Sequence, residues 1–402
     1  MVWTPASEDQ LRAALDAGNV RENSGLDFKQ ETGNGDGSRR ATAIDLASFA
    51  VYGGQLIVGV AEDKAARSST LTPQPLSGAA EKLEDIAANR IDPPLFIRVS
   101  DIPSSADSTT GYLIVEIPPS PSAPHMVDGR YYARGDRTNR RLTDGEVLAL
   151  HSARRRTEDD LKELLDHWAA REIVPSDKRR NGHLQLIAEP LLEKNPAAFQ
   201  SISRAPEPSA ARSLVHTAET GTPTHLRAFE PRLSSAPRWR RRADGGALTG
   251  LDAGLPALGA DGWEDSLVDL ELRDNGGFRI LMGRHTDLTQ MRGEDVKIIF
   301  DMASLGYAWT TVLLARGIAE QTGYRGPWGF GVSADRLGGK YSWALLSDQT
   351  VFASAVEPYA ARSFSQVTTA QLQEMEDAPG SVAARLVGRL LQGLGSYEVL
   401  AK

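Results

Sequence analysis

The chain contains no cysteine. That removes disulfides, thiolate zinc sites and cysteine nucleophiles together, and it fits a reducing compartment. Long apolar runs are missing as well. The stretch from Leu56 to Ala61 is among the longest, and it falls far short of the ~20 residues that a spanning helix needs. The opening residues, MVWTPASEDQLRAAL, lack a basic start followed by an apolar segment, so no signal peptide is expected and a soluble cytoplasmic protein is. Excess positive charge is the last absence. The formal net charge is −8, which argues against a protein that coats nucleic acid by bulk charge. A local basic face remains open, because binding depends on where the charges sit.

What is present is the composition of an ordinary globular protein. A length of 402 residues predicts two or three domains, and a hydrophobic fraction of 41% is enough for a sizeable core. Arginine is clustered: Arg130, Arg134, Arg137, Arg140 and Arg141 fall in one stretch, followed by Arg154, Arg155 and Arg156. A third group, Arg238, Arg240, Arg241 and Arg242, surrounds Trp239.

Residues 8–17 read as a helix with Ser7 as its N-cap, and Leu26 to Lys29 alternates like a half-buried strand. Gly33 to Ser38 is a loop by composition, and 39–51 has helical apolar spacing up to Gly53-Gly54. Gln55 to Ala61 predicts one continuous strand. A helix over 77–89, strands over 95–99, 112–117 and 130–133, and a helix from Asp144 into the basic run complete an α/β domain ending near residue 156. Residues 157–185 predict a helical connector. From 186 to 402 a second domain of α+β class follows, with 200–245 expected to be poorly ordered loop. A hairpin over 267–282, a strand over 296–300 and helices over 308–322 and 369–394 are predicted there, and its role would be sensory or regulatory.

Two segments carry chemistry. Glu22-Asn-Ser-Gly-Leu-Asp27-Phe28-Lys29 sets two acids five apart on the approach to a short strand. Ala47-Ser-Phe-Ala-Val-Tyr-Gly-Gly54 followed by Gln55-Leu-Ile-Val-Gly-Val-Ala-Glu62-Asp63 is a helix, a glycine turn and a strand ending on two acids. With Ile91-Asp-Pro-Pro and Tyr131-Tyr-Ala-Arg134-Gly135, these resemble the Schlafen AlbA_2 domain over about residues 7–152. That family's usual form is E-S-x-x-x-E-F-K, then A-F-A-N-x-x-G-G, then a strand ending G-V-x-D. Each motif alone is weak, and four in order are moderately specific.

The resemblance implies a nucleic-acid-handling fold, α+β overall with a mixed α/β N-terminal domain. In Schlafen nucleases three carboxylates from these motifs cleave RNA with a divalent metal. Carried over residue by residue, they are Glu22, Asp27 and Glu62, with Asp63 beside the last. Asp stands where the family has Glu, and Glu where it has Asp, so charge is kept while arm lengths are exchanged. The family's Asn is Val51 here. Mg²⁺ or Mn²⁺ is the implied cofactor, because hard cations prefer carboxylate oxygen. Lys29 would steady developing charge, and Arg130, Arg134, Arg137, Arg140 and Arg141 would contact phosphate.

Other candidates fare worse. Gly33 to Gly37 lacks the Gly-Lys-Ser/Thr ending of a P-loop, and His125 has no second histidine at ligand spacing. Residues 157–402 contain no convincing helix-turn-helix. The leading reading is therefore a metal-dependent endoribonuclease acting on structured RNA such as tRNA, in the manner of an antiviral, toxin-like effector. The alternatives are a DNA-binding transcriptional regulator without catalysis and an interaction module that has lost nucleic-acid function. No membrane partner is expected. Nothing in the residues fixes the oligomeric state, and a homodimer is one option.

Overall fold

The computed structural model describes residues 4–17, 20–33, 35–63, 68–135, 138–172, 174, 176–192, 196–227, 229–251, 263–291, 293–347 and 356–400. The chain divides into two compact units, residues 1–156 and 157–402.

The first unit begins with α1 (Glu8–Asp16), whose N-cap Ser7 Oγ accepts from the Gln10 amide. Strand β1 (Leu26–Lys29) leads into α2 (Asp36–Phe49), which returns the chain to β2 (Gly54–Val58), parallel to β1 and registered Asp27 against Leu56. Beyond β2 come β3 (Val60–Asp63), β4 (Ser68–Leu71), β5 (Gln74–Pro75), α3 (Ala79–Asn89), β6 (Arg98–Pro103) and β7 (Thr110–Ile117). β7 lies antiparallel to β2, β5 and β6 and completes a mixed sheet. The hairpin strands β8 (Met126–Val127), β9 (Arg130–Arg134) and β10 (Asn139–Arg141) follow. Helix α4 (Asp144–Ala170) starts in this unit and ends in the second.

β2 is buried on both faces, which explains its unbroken apolar run. Leu56 and Val58 pack with Leu46, Phe49, Leu83 and Ile86 of α2 and α3, while Ile57 packs with Leu11 and Phe28 on the opposite face. Two glycines shape this region. Gly53 (φ 80°) closes α2 by donating its amide to Phe49 O at 2.7 Å. Gly59 (φ 98°) interrupts the strand expected over 55–61, and its amide bonds Lys29 O at 2.8 Å. β3 then leaves the main sheet to pair with β4. The strand expected over 95–99 lies instead at Arg98–Pro103.

The second unit is built on one antiparallel sheet. In chain order its elements are β11 (Leu184–Pro190), α5 (Pro196–Ser203), α6 (Ser209–Gly221), β12 (Arg238–Arg242), β13 (Gly245–Thr249), β14 (Val268–Arg273) and β15 (Phe278–Met282). Then come β16 (Thr286–Met291), β17 (Glu294–Ile299), α7 (Asp301–Thr322), β18 (Trp328–Ala334), β19 (Tyr341–Ser342), α8 (Trp343–Ser347), β20 (Phe364–Ala370), α9 (Leu372–Asp377), α10 (Pro379–Leu394) and α11 (Tyr397–Leu400). The sheet order is β12-β13-β14-β15-β11-β18-β20. α7 is buried on nearly every side and packs with α6, α10 and the sheet. Leu161 and Leu165 of α4 pack with Ile187 and Val367.

Two expectations fail here. The stretch 200–245 is not loop: Ala211, Val215 and Ala218 recur at helical spacing and bury one face of α6, and Arg238–Arg242 is a strand. Trp239, expected on a loop, lies on that strand and donates its indole N–H to Ala205 O at 3.1 Å. The helix expected over 369–394 is three elements, β20, α9 and α10. Pro379 sits at the first position of α10, where its missing N–H costs nothing, and it cannot continue α9.

Candidate active site

Strand alternation begins the site. Leu26 and Phe28 face the α1 layer, so Asp27 and Lys29 emerge on the other side of β1. A tight turn precedes them, with Asn23 and Leu26 exchanging backbone hydrogen bonds and Asn23 Oδ1 accepting from the Gly25 amide at 2.7 Å. The turn folds Glu22 back along the strand, where Oε1 accepts from the Phe28 amide at 3.3 Å. Glu62 arrives from β3 immediately after the Gly59 bend. All three sequence-predicted acids thus line one cavity of about 550 Å³, together with Lys29, Arg134 and Asp45.

Inside the cavity five side chains close a ring. Arg134 Nη2 donates to Asp27 Oδ1 at 2.7 Å, and its Nη1 donates to Asn139 Oδ1 at 3.1 Å. Asn139 Nδ2 donates to Asp45 Oδ1 at 2.5 Å. Lys29 Nζ stands 3.2 Å from Asp45 Oδ2 and 3.5 Å from Asp27 Oδ2. Ser48 Oγ adds a hydrogen bond to Asn139 at 2.8 Å, and the Arg134 guanidinium lies 5.0 Å from the centre of the Phe49 ring.

The charges do not balance. Four carboxylates, Glu22, Asp27, Asp45 and Glu62, share the cavity with two cations, Lys29 and Arg134. Burial, then a hydrogen bond to Asp27 and the charges of Asp27 and Glu62, pushes the Glu22 carboxyl up to about 7. Burial likewise raises Asp45, against the opposing pull of Lys29. Burial acts against the Lys29 ammonium, but Asp45 and Asp27 outweigh it and hold that group above its ordinary value.

The fit to a divalent cation can be judged from the donors. They are hard oxygen ligands, and Asp27 Oδ2 is a buried carboxylate oxygen with no hydrogen-bond partner, set 3.5 Å from the Lys29 ammonium. Among the described residues no three acidic or imidazole groups stand in ligand geometry around one point. The donor chemistry therefore fits a cation, while a complete cage does not stand ready.

The predicted phosphate contacts separate into kinds. Arg134 is not at the surface: its side chain is 3% exposed and occupied by Asp27 and Asn139. Arg140 is exposed but doubly bonded to Glu146. Arg130 and Arg141 are exposed. Arg137 and the Asp63 side chain lie outside the described residues. His125 is buried between Pro93 O and Ser120 Oγ, each at 2.7 Å, which is a structural role.

Asp45 and Asn139 escaped the sequence reading. Asp45 could have been found, as the acid within an apolar helix run, Ala43-Ile44-Asp45-Leu46-Ala47, where an unpaired charge would be costly. Asn139, in an arginine-rich strand, carried no such signal.

A search of curated proteins finds no match to the chain, and neither does a search of the solved structures. The family model described as "Schlafen, AlbA_2" matches residues 22–143, which span the carboxylates, the glycine turn and the Arg134 strand. Those residues are a Schlafen AlbA_2 domain, whose family points to work on nucleic acid.

Proposed function

We propose that the N-terminal unit is a metal-dependent endoribonuclease that acts on structured RNA such as tRNA, with Glu22, Asp27 and Glu62 as its carboxylates. The observation that carries this reading is the excess of carboxylate over cation in one cavity. A phosphate backbone entering such a space is repelled unless a positive ion offsets the acids. A site evolved only to bind nucleic acid would gain from the opposite balance.

Glu22, Asp27 and Glu62 would hold Mg²⁺ or Mn²⁺. When bound, such an ion polarises a phosphodiester and lowers the pKa of its water. The chain's own residues prepare the rest. Arg134 fixes the orientation of Asp27 through Oδ1 and leaves Oδ2 turned toward Lys29. Lys29, 38% exposed, offers an ammonium to a phosphate oxygen, and Asp45 keeps it charged. Arg130 and Arg141 would contact the backbone on either side. Residues 157–402 would regulate this activity. RNA is the substrate on which Schlafen nucleases use the carboxylates carried over here, and DNA is the alternative.

A second reading, nucleic-acid binding without cleavage, is favoured by one fact: Arg134 already occupies one oxygen of Asp27. Incubation of tRNA with purified protein and Mn²⁺, beside a Glu22→Ala/Asp27→Ala variant, separates the two. The nuclease reading expects cleavage by the wild type alone. Intact tRNA with every metal, or equal cleavage by the variant, overturns it.

A further inference from the structure

The second unit holds a cavity of its own, about 650 Å³, between the start of β16, the end of β17, the segment before β11 and the loop after β18. That volume is of small-ligand size. Four cations line it, Arg180, Lys297, Arg336 and Lys340, beside three acids, Glu264, Asp265 and Asp287.

The acids are already engaged. Glu264 accepts from the backbone amides of Arg180 and Asn181 and faces His183 Nε2 at 3.1 Å. Burial works against the charge of His183, but its hydrogen bonds to Glu172 and Glu264 hold its pKa above the ordinary value. Arg284 takes both of the others, at 3.5 Å from Asp265 and 2.5 Å from Asp287. Lys340 Nζ donates to a carbonyl, Arg336 O, rather than to a carboxylate. Burial and the neighbouring charges of Lys297 and Arg336 lower the pKa of Lys340, as expected where like charges crowd together.

The loop after β18 is held by its own hydrogen bonds. Arg336 adopts a left-handed backbone (φ 56°), a conformation ordinarily left to glycine, and its Nη1 donates to Arg179 O at 2.7 Å. Arg179 is anchored in turn to Glu172 and Asp335, each at 2.7 Å.

We infer that this cavity binds a small phosphate-bearing molecule, with Lys297, Lys340, Arg336 and Arg180 around the phosphate. A dianion there relieves the crowding of the cations, whereas a metal ion meets acids whose oxygens already face Arg284 or accept from backbone amides. The concave shape and the flanking Asp265 and Asp287 disfavour a passing nucleic-acid backbone. The inference does not depend on cleavage by the first unit.

Isothermal titration of the full chain with inorganic pyrophosphate, with ADP and with a short single-stranded RNA tests this. Pyrophosphate or ADP should bind saturably, and Lys297→Ala/Lys340→Ala should weaken that binding at least tenfold. Tighter binding of ADP identifies a nucleotide, and equal binding identifies a simpler phosphate ester or an inorganic phosphate. Should the double variant fold poorly, Lys297→Glu, at an exposed position, carries the same expectation. No saturable binding of either probe, binding unchanged in the variants, or RNA binding tighter than both probes and lost with the same lysines overturns the proposal.

Discussion

Arg134 and Asp27 meet at 2.7 Å with side chains only 3% and 6% exposed, so the strand that ends one motif is locked to the strand that carries another. Removing Arg134 leaves the buried Asp27 carboxylate with the more distant Lys29 ammonium, 3.5 Å from Oδ2. Arg134→Met should therefore destabilise the first unit by about 3–5 kcal/mol, and Asp27→Asn/Arg134→Met should recover part of the loss. Urea denaturation measures both. A cost below about 1 kcal/mol for the single substitution means that the pair does not hold the site together.

This pair also shows what the sequence conveyed and what it hid. Glu22, Asp27 and Glu62 were legible from the order of the motifs, and Asp27 also from the alternation of β1. Arg134 was legible as a conspicuous arginine, but its role was misread. A run of five arginines reads as a basic face, and only the fold reveals that one of them turns inward to a buried carboxylate. The break at Gly59 was hidden for a related reason: Gln55 to Ala61 is apolar throughout, and a glycine in such a run looks harmless until its φ is known. The Ser/Pro/Ala/Arg-rich stretch of the second unit misled in the same way, since alanine and valine at helical spacing suffice to bury α6.

Glu22 sets the pH response. Its carboxyl titrates at about 7 in the folded protein, above its usual 4.5, so folding favours the protonated form. The stability this adds is present at low pH and is lost as pH rises through about 7. Metal-free protein should therefore melt at a lower temperature near pH 8 than near pH 5, and Glu22→Gln should flatten that part of the profile. A profile identical in wild type and variant contradicts the assignment.

Gly59 is required twice over. Its φ of 98° is strained for any other residue, and an added Cβ would lie 2.8 Å from Tyr112 Cδ1. Gly59→Ala should cost about 1–3 kcal/mol by thermal or chemical denaturation and should blunt any activity that needs Glu62 in place. A variant as stable as the wild type argues that β2 and β3 can rejoin.

The exposed arginines should act through phosphate contact alone. Arg130→Ala/Arg141→Ala should weaken RNA binding across sequences and reduce the slope of log affinity against log salt by about 1–2, since each lost contact accounts for ~0.7–0.9. Arg140→Ala should do less, because Glu146 already holds that side chain. Filter binding over a range of ionic strength reads all three, and an unchanged slope in the double variant removes these residues from the interface.

The most direct test is whether the carboxylate cavity takes up a divalent cation. Electron paramagnetic resonance of Mn²⁺ titrated with the full chain reports the free ion. One saturable site is expected, with affinity rising about tenfold per pH unit up to about 7 as Glu22 gives up its proton, and lost in Glu22→Gln/Asp27→Asn. Free Mn²⁺ undiminished by the protein, or uptake equal in wild type and variant, contradicts it.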